Sequence, residues 1–359
     1  DLPAARQMMA FASHSSRHFC CYCGLQSEDM ENLDVEKWPP GVSSREEYVE
    51  IAERWKAAPA KVQKTLFEQH GIRYSELLRL PYWNPTSYVV IDSMHGILLG
   101  LLRHHCRVLW EMNIQVADGD GTTRTKPTKR DGPTSEKMDE GWDIVHRGTN
   151  QDMKTLKLGV LEELCIQSDI PIGGHKAQLR EALQELVLTE TPKKTVVLGR
   201  TRLATIRNDM QHTSLPSWIG RVPGNLGSPG NGTLSADEWR TVCTVHLVSS
   251  LVQLWGTHPP QDREHQMLAN FVDLVTAAKL INMRVMTPER IKEYSTTMLR
   301  YLHGIRHLYP HTKFVPNHHM SLHLPRFLEN FGPTNGWRCF PFERYNYLLQ
   351  KVQTNGRFG

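Results

Sequence analysis

The chain has 359 residues, 39% hydrophobic and 22% charged, which excludes a disordered polyelectrolyte and fits one large domain with insertions or two domains. Its formal net charge of +4 permits a nucleic-acid partner without demanding one. Seven cysteines, an odd number in a long chain, argue against a disulfide framework and for a reducing, intracellular compartment; no apolar run is long enough to span a membrane.

The opening residues, DLPAARQMMA, lack the apolar centre of a secretory signal. A Cys/His-rich stretch follows, up to about residue 30. The segment SSREEYVEIAERWKAAPAKVQKTLFEQHG predicts helices broken at Pro59 and Gly71, with Ser43 or Ser44 as N-cap. In SYVVIDSMHGILLGLLRHHCRVLW, Tyr88 to Ile91 reads as a short β-branched strand, and Met94 to Trp110 as a mostly buried helix. Residues 113–152 are polar and rich in Gly, Pro and Thr, the composition of a linker. Residues 153–190 form a compact unit of their own, and 191–310 are helical apart from a Gly/Pro-rich loop near 214–233. TPERIKEYSTTMLRYLHGIRHLY opens with a Thr cap and a Pro at the first helical position. Trp218, Trp239, Trp255 and Trp337 read as core or packing residues.

Two stretches carry metal-ligand spacing. Cys20 and Cys23 form C-x-x-C, in which a tight turn points two sulfurs at one ion. Far away, NHHMSLHLP offers His318 with His323, or His319 with His323. Either pair completes a Cys2His2 tetrahedron for Zn²⁺ and ties the two ends of the chain together. The chain has 18 histidines, enough to make metal binding worth checking, and solvated or capping side chains are the simpler reading of these three.

Asp1, Asp92 and Glu343 each stand where a catalytic carboxylate can. Metal-dependent phosphoryl transfer needs carboxylates that converge on paired ions, one activating the nucleophile and one stabilising the leaving oxygen. On local grounds alone, Asp92 is equally an N-cap, and Glu343 an acid suited to a helix start.

DLPAARQMMAFASHSSRHFCCYC, YVVIDSMHGILLG, SLPSWIGRVPGNLG, LSADEWRT, VPNHHMSLHLPRFLENFGP and GWRCFPFERYN together resemble the transposases of CACTA/EnSpm-type DNA transposons, in the form common in fungal genomes. The resemblance is weak only over 111–200. It implies an α/β fold of RNase H-like type, here incomplete, interrupted by a large, mostly α-helical insertion and so predominantly helical overall. Residues 1–112 would be the second part of that core with a Cys-rich zinc element. Residues 311–359 would hold the His-rich zinc element and the last catalytic helix. By this resemblance Asp1 matches the family's second catalytic Asp and Glu343 its final Glu, together holding Mg²⁺ or Mn²⁺. Asp92 and His95 match its D-x-x-H signature. A more distant relative, the V(D)J recombinase core, points to Cys20, Cys23, His318 and His323 as the zinc ligands. The family's first Asp belongs upstream of Asp1, so the expectation is that residues 1–359 are inactive alone. The implied partners are DNA, as transposon ends and target, and a second copy in a homodimer; the implied location is nuclear. The alternative is a domesticated or decayed transposon-derived, zinc-containing DNA-binding protein without catalysis.

Within 153–190, MKTLKLGVLEELCIQSDIPIGGHKAQLREALQEL reads as helix, turn, helix, with Leu158, Leu161, Leu164, Leu179, Leu183 and Leu186 facing inward. It resembles a SAP motif, in which the second helix start and Lys176 approach phosphate. Arg338, Arg344 and Lys351 would meet phosphates near the metals on this reading; solvated surface is their simpler reading.

Overall fold

The computed structural model describes residues 2–112, 156–167, 176–188, 197–227 and 234–352. The chain divides into two units, one built from Asp1–Val116 and Val196–Gly359, the other from Ala117–Thr195.

The first unit is helical. Among the described residues the extended pairings are two isolated bridges, Phe11 with Ile72 and Cys23 with Pro40, and no sheet is formed. The expected predominance of helix is therefore present, while the expected strand at Tyr88 to Ile91 is not. Asn84 caps a one-turn helix, α4 (Pro85–Tyr88), by accepting from the Thr86 N–H, and Pro85 supplies a preset first-turn backbone. Val89 to Asp92 then runs irregularly into the next helix. Its β-branched residues find no neighbouring strand among the described residues, and an unpaired strand has nowhere to place its backbone hydrogen bonds.

The first unit's other helices begin and end where local chemistry dictates. Following α1 (Leu2–Met9), α2 (Arg45–Ala57) starts at Ser44, whose side chain accepts from the Glu47 N–H. Pro59 separates it from α3 (Ala60–His70), which ends on Gly71 at φ +68°. A side chain is disfavoured there, and a Cβ would also lie 2.8 Å from that of His18.

The centre of the unit is α5 (Met94–Leu102, extended by His105–Leu109), a helix wound with wider, π-type turns. The Arg103 N–H reaches the Leu98 carbonyl and the Trp110 N–H the His105 carbonyl, five-residue steps instead of four. Over Met94–Leu102 its apolar residues are buried, apart from half-buried Leu99, which shares an edge with His95 and Arg103. Against it pack α9 (Ala236–Thr241), α11 (Arg263–Ile281) and α13 (Pro316–Ser321). α9 starts in a Ser235/Glu238 capping box, contributing about 1 kcal/mol, and runs on through wide turns at Val242–Leu247 into α10 (Val248–Trp255). α8 (Arg200–His212) lies against this segment. The longest helix, α12 (Pro288–Leu308), begins at the Thr287 cap and packs along α11 and α14 (Leu324–Phe331). Gly304 permits the α11–α12 approach, since a Cβ there would sit 2.1 Å from Asn270 Nδ2. Trp110, Trp239, Trp255, Phe271, Tyr294 and Tyr301 fill the core. Trp218, by contrast, is 83% exposed in the loop after α8, not packed as expected.

In the second unit, α6 (Leu158–Gln167) packs on α7 (Lys176–Leu188) around Val160, Leu161, Leu164, Cys165, Leu179 and Leu183. Leu158, the first residue of α6, is exposed and not inward-facing as expected. The Gly173-Gly174 turn and the Leu186 side chain lie outside the described residues.

Candidate metal centre and acidic site

The metal centre is assembled from two distant segments. Residues 10–23 are an irregular loop fixed by buried contacts. Arg6 donates to the carbonyls of Ala12 and Phe19, and the Ala12 N–H donates to the Gly71 carbonyl at 2.7 Å. The C-x-x-C turn is clipped to residues 39–41: the Gly24 N–H donates to Pro39, and Gly41 lies so close that a Cβ would be 3.0 Å from Tyr22 backbone. On the other side, α13 and the turn into α14 present the histidines. Gly100 of α5 lets α13 approach; a Cβ there would fall 2.6 Å from Asn317 Nδ2.

Cys20, Cys23, His319 and His323 thereby meet, and the group can hold a metal ion such as zinc. Cys20 Sγ is 3.3 Å from His323 Nε2, Cys23 Sγ is 3.3 Å from His319 Nε2, and the two Nε2 atoms are 3.0 Å apart. Tetrahedral zinc with ordinary bond lengths places such atoms ~3.3 to 3.6 Å apart, so these residues fit the ion with a shift of a few tenths of an ångström. Trp38 stacks on the His319 ring at 4.5 Å. Burial pushes the Cys20 thiol up and, together with the neighbouring His323, lowers His319 to about 3. Cys23 is lowered, chiefly by its hydrogen bond with Cys20. The His319 imidazole is thus in its ligating form, and a cation has a proton to displace from the buried Cys20 thiol.

His318 is placed elsewhere, which corrects the ligand pair taken from the recombinase resemblance. Its Nδ1 accepts from the Val315 N–H at 3.1 Å, and its ring meets that of His104 at 5.1 Å on the far side of α13. On one turn of helix, adjacent residues point about 100° apart, and only the i, i+4 pair His319 and His323 shares a face.

A second group lies where α5 begins and α15 (Phe340–Gln350) begins. Asp92 Oδ2 accepts from the His95 backbone N–H at 2.9 Å and stands 2.7 Å from His95 Nδ1. Asp92 Oδ1 accepts from the Cys339 N–H, 247 residues away in sequence, at 2.9 Å. Burial raises the Asp92 carboxyl, but the bonds from His95 and Cys339 together outweigh it and leave it below its ordinary value. His95 Nε2 is 3.7 Å from Glu343 Oε1. Asp92, His95 and Glu343 thus form one line, Asp92 holding the imidazole and the imidazole facing the glutamate. Asp1 lies outside the described residues.

The basic residues are dispersed. Arg344 and Lys351 are exposed on or just beyond α15, with Lys351 over the Tyr347 ring at 4.3 Å. Arg338 lies over Phe340 at 5.2 Å. Lys176 begins α7 in the other unit, as expected. The sequence reading missed Cys339 and Trp38: neither lies in a ligand-spacing motif, and each matters through contacts with residues far along the chain. Among the described residues no helix is long and apolar enough to cross a membrane. No family model matches the chain, and no curated protein matches it.

Proposed function

We propose that the chain is part of a CACTA/EnSpm-type DNA transposase, cutting and joining DNA by metal-assisted phosphoryl transfer. The observation that carries this reading is the meeting of Asp92 and His95 with Glu343, from opposite ends of the first unit. A glutamate at a helix start, faced by an imidazole that a buried carboxylate orients, suits the positioning of a divalent ion and a scissile phosphate. In this reading Glu343 binds Mg²⁺ or Mn²⁺ jointly with Asp1, within an RNase H-like core. Asp92 and His95 are positioning residues for Glu343. Zn²⁺ at Cys20, Cys23, His319 and His323 fastens the segment carrying Glu343 to the first part of the unit. Arg338, Arg344 and Lys351 neutralise phosphates beside the site, and the hairpin of α6 and α7 adds a SAP-like DNA contact through Lys176. Work on chromosomal DNA sets the location as nuclear, and two transposon ends per event suit a homodimer.

The test is nicking and strand joining of DNA carrying transposon ends, with Mg²⁺ or Mn²⁺, by the full-length parent protein that contains this chain and its upstream catalytic Asp, and by its Glu343→Gln and His95→Ala variants. The expected loss for Glu343→Gln is at least about 100-fold in rate. A parent that binds DNA but neither cuts nor joins it defeats the catalytic reading and leaves a transposon-derived DNA-binding protein. A parent with no DNA affinity defeats both.

A further inference from the structure

Asp92 has metal-binding neighbours of unlike type. A carboxylate oxygen of Asp92, a ring nitrogen of His95 and the Sγ of Cys339 all lie within 4.8 Å of one another, apart from the Cys20/Cys23/His319/His323 group. Asp92 is 8% exposed, and both of its oxygens are fixed, one by His95 and one by the Cys339 N–H. Cys339 is itself set by the helix start: its carbonyl accepts from the Glu343 N–H at 3.0 Å. The donors are therefore already ordered, so an ion binding there pays little of the cost of ordering them. A carboxylate, an imidazole and a thiol are the donor set of zinc-class ions; Mg²⁺ prefers an all-oxygen shell.

We propose that Asp92, His95 and Cys339 bind one divalent ion of the zinc class. The inference rests on the preceding reading in treating Asp92, His95 and Glu343 as one site, but not on DNA chemistry. On binding, the Cys339 thiol gives its proton to solvent and its sulfur takes the ion. The proton on His95 Nδ1 moves to Nε2, the nitrogen that faces Glu343 Oε1 across 3.7 Å. Asp92 exchanges its bond from Nδ1 for a bond to the ion. One proton leaves per ion bound.

The test is metal content of the full chain, loaded with Zn²⁺ or Co²⁺ and freed of excess by gel filtration. The expected result is two ions per chain in the parent and one in both Cys339→Ala and His95→Ala, with far-UV circular dichroism unchanged. In the cobalt form, Cys339→Ala lowers the thiolate-to-cobalt absorption by about one third, as one of three thiolates is lost. If Cys339→Ala loses its fold, Cys339→Ser gives the same reading with a side chain of similar size. One ion in the parent overturns the proposal. Two ions that persist without the thiol also overturn it, since oxygen and nitrogen donors alone then hold the second. Mg²⁺-dependent DNA cleavage in a protein holding a single zinc would sink this site and leave the transposase reading standing.

Discussion

His318 and His319 are neighbours that face different interiors, one toward His104 and one toward the thiols of Cys20 and Cys23. Their substitutions should separate. His319→Ala is expected to remove the ion at Cys20, Cys23 and His323, while His318→Ala keeps that ion and loses only packing and the bond to Val315. Elemental analysis of both variants decides it. His105 carries a different burden. It is fully buried against Trp110 and Phe271, its Nε2 has no hydrogen-bond partner, and burial lowers it to about 3. In the unfolded chain it titrates near 6.5. Its contribution is therefore fully present above that value and is lost as pH falls toward about 3. Between pH 7 and pH 5 this amounts to about 2 kcal/mol, because the unfolded state takes up a proton that the folded state refuses. His105→Phe should flatten that part of the acid limb, read as the difference in urea midpoint between the two pH values. An unchanged difference would place the acid sensitivity elsewhere.

At the scale of elements, α5 serves both sites at once: Asp92 and His95 stand at its start, and Gly100 admits α13 with His319. Gly100→Ala would drive a methyl to 2.6 Å from Asn317 Nδ2 and 2.8 Å from the His95 carbonyl. The expected cost is about 1 to 3 kcal/mol of stability, with weaker zinc retention against a chelator. Normal retention would show that α13 can shift without disturbing its histidines. What could be read from sequence follows the range of the interaction. The Ser44 and Thr287 caps, the break at Pro59 and the stop at Gly71 are decided within a few residues, and the helices they bound are where the patterning puts them. The wide turns of α5 have no such local signature; its run of apolar residues gives burial, not winding. Val89 to Ile91 have strand-like side chains but no partner to pair with among the described residues. The metal centre was legible as two half-sites, because C-x-x-C and i, i+4 histidines are short motifs. Cys339 was not, since its tie to Asp92 joins segments 247 residues apart.

At the scale of the whole molecule, the two units keep separate cores. Leu183, fully buried between α6 and α7, can therefore be probed alone. Leu183→Ala should destabilise the hairpin by about 3 kcal/mol and speed amide exchange in residues 176–188, leaving α11 and α12 protected as before. Faster exchange throughout would show the cores to be coupled.

The contact between Cys20 and His323 spans 303 positions. On a ribosome adding 5 to 20 residues each second, the thiols emerge roughly 15 to 60 s before their imidazole partners exist. For that interval they are a bare dithiol, open to oxidants and to softer metals that need only two sulfurs. Metal loading of the full set must wait until α13 and the turn after it have been made. The site thus acts as a check that synthesis has passed α13: a chain that stops before it has no means of closing the site, and its two cysteines remain exposed chemistry for the cell's reductants and proteases to find.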